Sequence, residues 1–442
     1  MQKEKGPLPE SPKSGNSNVQ QNLELKDGLR PPGGAENASG GQAESDKVLL
    51  AKLREFYRQL HSPFIGKEEE AKAITLAFMC LEHEVTFGKR GTSKSALSIR
   101  ALGLIESKEF QTQLNGFSTP EVVVGTYKPD KFRFEGTIEY KTESMLPEAQ
   151  VARIDEVFRG TDALRGVLHS ILFERIFHNG SKIMECPLMT VLAASEFVPY
   201  DEADQAFYDR FLFRFFTSPV PKGRVPELLD AARDIEFKGA SKVSAPVISA
   251  SDFRIIYEKL YDVDISIVKP ILISLLNEIA DKAKDMYLSD RRKGKILKAV
   301  AANALLEGRK TATIEDLIAL KYVLPNDEEE TRAISAILEN LISPVNHINR
   351  LDAATFSINA AIEALDKNPE SQVNHADAMS AVSNAKKYAK ALLKEYSDKS
   401  LKKSARRLLK SARIYSEKVS KSADTANQGE VTDQDTSAET DQ

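Results

Sequence analysis

The sequence predicts an α/β domain on a parallel sheet, followed by two all-α regions. Three observations predict it. From about residue 47 to 221, helical stretches alternate with short apolar runs, the pattern of parallel strands joined by helical crossovers. From about 223 to 327 strand candidates become rare. From about 328 to 421 apolar residues keep to one helical face.

The elements follow in order. Residues 1–46 are rich in Gly, Ser, Pro, Asn and Gln, too polar to offset the entropy of ordering, and predict a disordered tail. EVTF (84–87), VVVG (122–125), VARID (151–155) and MTVLAAS (189–195) are the candidate strands of a domain spanning 47–222. In the region 223–327, residues 265–288 and the stretch RKGKILKAVAANALLEGRK predict helices, and Gly308 suits the end of the second. In 328–421, Ile334, Ile337, Leu338 and Leu341 share a face. Leu401, Ala405, Leu408, Ala412, Tyr415 and Val419 then form a heptad-type seam that predicts a hairpin or coiled-coil packing. Residues 422–442 are polar and mostly acidic and predict a second disordered tail.

Composition narrows the function. The formal net charge of −4 over 442 residues does not predict polyanion binding by the whole chain. Cys80 and Cys186 are the only cysteines, too few for a disulfide framework, which fits a reducing compartment. The N-terminus lacks the apolar core of a secretory signal, and no run of about 18 apolar residues exists. A cytoplasmic protein without a membrane span is expected. The six histidines form no metal-ligand spacing. The basic residues Lys402, Lys403, Arg406, Arg407, Lys410 and Arg413 flank the C-terminal seam and read as a solvated face. DNA binding is a weaker reading of them, testable by its salt dependence.

The informative stretch is GKRGTSKS, residues 88–95, between EVTF and the helical SALSIRALGLI. A phosphate loop needs backbone N–H groups freed by a tight turn, a lysine for the β/γ-phosphates and a hydroxyl for Mg²⁺. Gly88, Gly91, Lys94 and Ser95 supply these, with Thr92 and Ala96 completing the loop and the helix start. Ser93 stands where the pattern has glycine, and Arg90 where proline is common. VARIDEVFRG adds Asp155 and Glu156 after a short strand, the carboxylates that hold the Mg²⁺ shell and activate water in phosphoryl transfer.

The order of FIGKEEEAKAITLAF, the loop, LNGFSTPEVVVGTYKPD, the carboxylates, LMTVLAASEFVPYDEADQAFYDRFLFRFF and YLSDRRKGKILKAVAANALLEGRKTATIEDL resembles the MoxR-type AAA+ ATPases, nearest their RavA-like branch. The resemblance covers roughly residues 47–325. It implies an AAA+ P-loop NTPase domain, a helical lid over 223–327 and assembly as a ring, usually a homo-hexamer. It implies ATP with Mg²⁺ as cofactors and a chaperone-like action on clients bearing a von Willebrand A-type domain. Carried over, Gly88, Gly91, Lys94 and Ser95 are the Walker A residues, and Asp155 and Glu156 the Walker B pair. Arg210 is the arginine that reaches a neighbour's nucleotide, with Arg214 a second candidate. Arg291 is the lid sensor, with Arg292 beside it, and Ile65 lies near the adenine. Glu196 occupies the sensor position that normally holds asparagine. Arg90, Arg153 and Glu196 depart from the family pattern and predict retained nucleotide binding with weakened hydrolysis. The alternative is a degenerate scaffold that recruits a partner without hydrolysis.

Overall fold

The computed structural model describes residues 39–429, except 240–241, 283–286, 369–370 and 397–398. The tails expected before residue 39 and after 429 lie outside the described residues. A helix, Ser39–His61, begins inside the stretch read as an N-terminal tail, and Lys399–Gly429 runs past residue 422. Composition marks where apolar residues thin out, but an established helix extends through polar residues at little cost per residue.

Five strands make one parallel sheet: β1 (Glu84–Phe87), β2 (Glu109–Gln113), β3 (Val151–Asp155), β4 (Thr190–Ser195) and β5 (Phe213–Phe216), in the order β2-β3-β4-β1-β5. β1 and β4 lie inside the sheet and are buried at every position, which is why they read as short continuous apolar runs. β2 and β5 lack that signal. β2 is the polar EFQTQ, an edge strand with one fully buried side chain, and it escapes periodicity. The run 122–125, expected as a strand, is instead the end of a one-turn helix, Glu121–Val124. Gly125 stops it at φ 89°, where an added Cβ would stand 2.1 Å from the Lys141 carbonyl oxygen. Two consecutive buried valines do not distinguish a strand from a helical turn. A two-stranded hairpin, Ile176–Asn179 with Lys182–Glu185, projects between β3 and β4 in the chain.

Helix Glu68–Cys80 packs under the sheet with ten of its thirteen residues buried. Phe56, Phe78 and Phe253 pack their rings together there, with centroids 5.2–6.0 Å apart. After β5 come the helices Val225–Lys238, Ala250–Leu260, Val268–Lys282 and Asp290–Leu306, the last ending just before Gly308 at φ 79°. Four more, Glu328–Ile342, Pro344–Lys367, Gln372–Glu395 and Lys399–Gly429, form the C-terminal region. Its seam is as expected: Leu401, Ala405, Leu408, Ala412 and Val419 are buried, and Tyr415 is partly so. Among the described residues no helix is long and apolar enough to cross a membrane.

One buried carboxyl makes the fold sensitive to pH. Glu84 of β1 is 1% exposed, accepts a hydrogen bond from Thr86 at 2.5 Å and lies near the buried Glu70. Burial pushes its pKa from 4.5 up to about 8. The folded state then holds a proton that the unfolded state releases, so this contribution is full below pH 4.5 and is lost as pH rises towards 8. Glu84→Gln is expected to flatten the decline of melting temperature between about pH 5 and about pH 8. Equal slopes for variant and parent in thermal melts would refute this.

Candidate functional site

The strand register assembles the site. Phe87 pairs with Ser195, Ala194 with Asp155, and Asp155 with Gln113. The carboxyl ends of β1, β2, β3 and β4 are therefore level, and the segments that follow them meet at one edge, where open α/β sheets bind ligands. A cleft of about 650 Å³ opens there, lined by the 90–96 loop, Asn115, Asp155, Glu156, Arg159 and Glu196.

The loop turns tightly after β1. Gly88, at φ 156°, donates its N–H to Ser195 O at 3.2 Å, and an added Cβ would stand 2.5 Å from Thr217 Cγ2. Ser93 sits in the left-handed region at φ 65°, immediately before helix Lys94–Gly103, and its hydroxyl makes no capping bond. A non-glycine residue there costs about 1–2 kcal/mol. Ser93→Gly is expected to stabilise the protein by about 0.5–1 kcal/mol after the entropy of the added glycine is counted. Chemical denaturation checks this, and a loss of stability would overturn it.

Lys94 is folded into the loop, where Nζ donates to the carbonyl oxygens of Gly88 at 2.6 Å and Lys89 at 2.9 Å. Burial pushes its pKa below the ordinary lysine value, opposed by Glu156 and Glu196. Ser95 Oγ donates to Asp155 Oδ2 at 2.9 Å. Arg153 pairs with that same oxygen, and its Nε donates to Ser98 Oγ at 3.2 Å. Residues two apart on a strand share a face, so this pairing follows from the VARID spacing. Asp155 Oδ1 is buried without a hydrogen-bond partner among the described residues. An orphaned carboxylate oxygen beside a serine hydroxyl fits a Mg²⁺ ion or its water.

Glu156 also adopts the left-handed conformation, at φ 56°, and accepts from Arg159 Nε at 2.9 Å. Glu196 is gripped by Arg90, whose Nη2 lies 3.3 Å from Oε2 while Nε bonds Oε1. Arg90 holds the Glu196 carboxyl below the usual carboxylate range. Arg159 Nη2 approaches Glu196 at 3.5 Å, and its guanidinium lies 5.6 Å from the Phe197 ring centroid. Arg90 and Glu196, two separate departures in sequence, are thus one ion pair across the mouth of the cleft.

Residues 51–257 match the model of the MoxR domain in MoxR-vWA-beta-propeller ternary systems, and residues 267–338 that of an AAA lid domain. The chain belongs to the MoxR family of AAA+ ATPases. Two uncharacterized proteins of Methanocaldococcus jannaschii are similar. One is 31% identical over 292 residues, covering 66% of this chain and 74% of the relative. The other is 30% identical over 321 residues, covering 68% and 83%. The crystal structure of a proposed ATPase from Cytophaga hutchinsonii shares the fold, with a TM-score of 0.55 at 18% identity over 69% of this chain and 98% of that one.

Within this MoxR frame, several expected residues stand elsewhere. Arg214 is not available to a neighbouring nucleotide. It is 2% exposed, donates to Tyr208 O, Phe211 O and Asn326 Oδ1 at 2.5–3.1 Å, and stacks on Tyr208. Arg292 is likewise structural, 1% exposed and bonded to the carbonyl oxygens of Val323 and Leu324 and to Asn326. A buried guanidinium needs such acceptors, and sequence spacing does not show which arginine of a neighbouring set receives them. Arg210 and Arg291 remain accessible but do not line the cleft. Arg210 stacks on Phe173 at 5.5 Å, and Arg291 lies 3.6 Å from Asp209. The two cations are close enough for Arg291 to lower the pKa of Arg210, after burial, the larger cause. Ile65 is half-buried between the helices Ser39–His61 and Glu68–Cys80 and does not line the cleft. Sequence reasoning missed Arg159 and Asn115. The position of Arg159 three residues after Glu156 was the available signal.

Proposed function

We propose that this protein binds ATP with Mg²⁺ in the cleft and, as a homo-hexamer of RavA-like type, remodels or assembles a client protein in the cytoplasm. The convergence of Lys94, Ser95 and Asp155 at the edge of β1 and β3 carries this reading. Lys94 moves from the loop carbonyls to the phosphates, and the loop N–H groups at the helix start hold phosphate oxygens. Ser95 and Asp155 would hold Mg²⁺, which supplies charge neutralisation at the phosphates. Glu156 orients the attacking water. Arg210 and Arg291, adjacent to one another and outside their own cleft, act together on a neighbouring subunit's nucleotide. The name of the matched domain model supports a client with a von Willebrand A-type domain.

Hydrolysis is slow because Arg153 occupies the carboxylate that would take metal, and because Glu196 replaces a donor amide and is itself neutralised by Arg90. This observation also favours the second reading, a scaffold that holds nucleotide without cutting it. ATP binding and steady-state turnover, measured side by side, separate the two. Turnover well below the ~10 s⁻¹ median of enzymes is expected. Arg153→Leu is expected to raise it about tenfold, since freeing the carboxylate needs only about 1.4 kcal/mol. A turnover unchanged by Arg153→Leu would refute the proposed brake. Undetectable turnover in both proteins would leave the scaffold.

A further inference from the structure

A second cavity, of about 540 Å³, opens where the lid helix Asp290–Leu306 meets the α/β domain. Its walls come from the end of helix Glu68–Cys80, from Arg175 and residues 185–189, from Arg254 and Tyr257, and from Lys298 on the lid helix. Both cysteines of the chain, 106 residues apart in sequence, line it.

Its charge is unbalanced. Arg175 donates through Nη2 to Met189 O at 3.0 Å, but its Nη1 is buried without a hydrogen-bond partner among the described residues. Arg254 donates to Pro187 O at 3.1 Å, and among the described residues neither guanidinium forms an ion pair. Burial lowers the pKa of Arg175, the nearby Glu82 opposes this, and Arg254 adds a smaller repulsion. Lys298 lies over the Tyr257 ring at 4.9 Å and shares the buried Glu82 with Lys295. Glu185 is exposed and, among the described residues, is the sole carboxylate lining the cavity. Leu81, Leu188 and Met189 supply apolar lining beside the two thiols. Burial raises the pKa of both cysteines, so the thiols stay neutral and do not compete for the cations.

Two guanidiniums lining one space match the oxygen pattern of a phosphate better than that of any neutral ligand. The volume exceeds a bare phosphate and suits a small ligand with an uncharged body. We propose that this cavity binds a small phosphate-bearing molecule, its phosphate on Arg175 and Arg254 and its body on the apolar lining of Leu81, Leu188 and Met189. Such a ligand bridges the α/β domain and the lid helix through Lys298 and restrains their relative motion. The site is separate from the Lys94 cleft and shares no lining residue with it.

Inorganic pyrophosphate is the probe, titrated calorimetrically into the full chain carrying Lys94→Ala, which disables the first cleft. Binding is expected to persist, and Arg254→Glu in the same background is expected to weaken it at least about tenfold. Arg254 is exposed, so its replacement leaves the core intact; Arg175→Lys, which keeps charge and loses the fork, is expected to weaken binding as well. A second readout needs no substitution in the cavity. Pyrophosphate is expected to raise the melting temperature of the Lys94→Ala protein. Absence of binding in the Lys94→Ala protein, or binding indifferent to Arg254→Glu, overturns the proposal.

Discussion

Lys94→Ala is expected to reduce ATP affinity by about a hundredfold or more. In the proposed reading the ammonium is the cation of the loop that reaches the phosphates, and each tenfold is about 1.4 kcal/mol. A charge-assisted bond to phosphate contributes about 1.5–3 kcal/mol when made within a partly desolvated cleft. The substitution should leave the fold intact. Lys94 is half-buried, and among the described residues its ammonium bonds the carbonyl oxygens of Gly88 and Lys89 alone. Calorimetric titration of ATP with Mg²⁺ against parent and variant measures this, with a thermal melt as the folding control. An affinity within about tenfold of the parent, equivalent to about 1.4 kcal/mol, would place ATP elsewhere.

Glu156→Gln is expected to separate binding from cutting. Loss of a positioned general base typically costs about 10²–10⁴ in rate, while ATP affinity should stay within about threefold, under about 1 kcal/mol. The backbone at Glu156 holds a left-handed conformation, and Arg159 fixes its carboxylate at 2.9 Å, so the side chain is set before nucleotide arrives. Single-turnover hydrolysis under saturating protein gives the rate free of product release. Two results count against the assignment: turnover in the variant equal to the parent, or loss of ATP affinity in step with loss of rate.

The edge at which these residues meet was legible because phosphate loops are local. Eight consecutive residues carry the loop pattern, and a strand before it and a helix after it stand where the pattern expects them. The VARID strand was legible for the same reason, and strand period two already put Arg153 on the face of Asp155. The arginines were less legible. Arg210, Arg214, Arg291 and Arg292 stand in two short segments with the same local character. Burial alone separates Arg214 and Arg292, which hold the Asn326 corner, from Arg210 and Arg291, which remain accessible.

The sequence by itself determined the parallel α/β domain, the helical regions after it, the phosphate loop and the carboxylate pair. Each rests on residues adjacent in the chain or on one strand, where periodicity and backbone chemistry act. Tertiary structure alone decided that Arg90 and Glu196, 106 positions apart, neutralise one another. It also decided that Arg159 joins both glutamates and that Cys80 and Cys186 share one cavity with two arginines. The physical reason is common to all three. Ion pairs and cavities depend on distances of a few ångström between side chains, and those distances are set by strand register and helix packing, which no local pattern encodes.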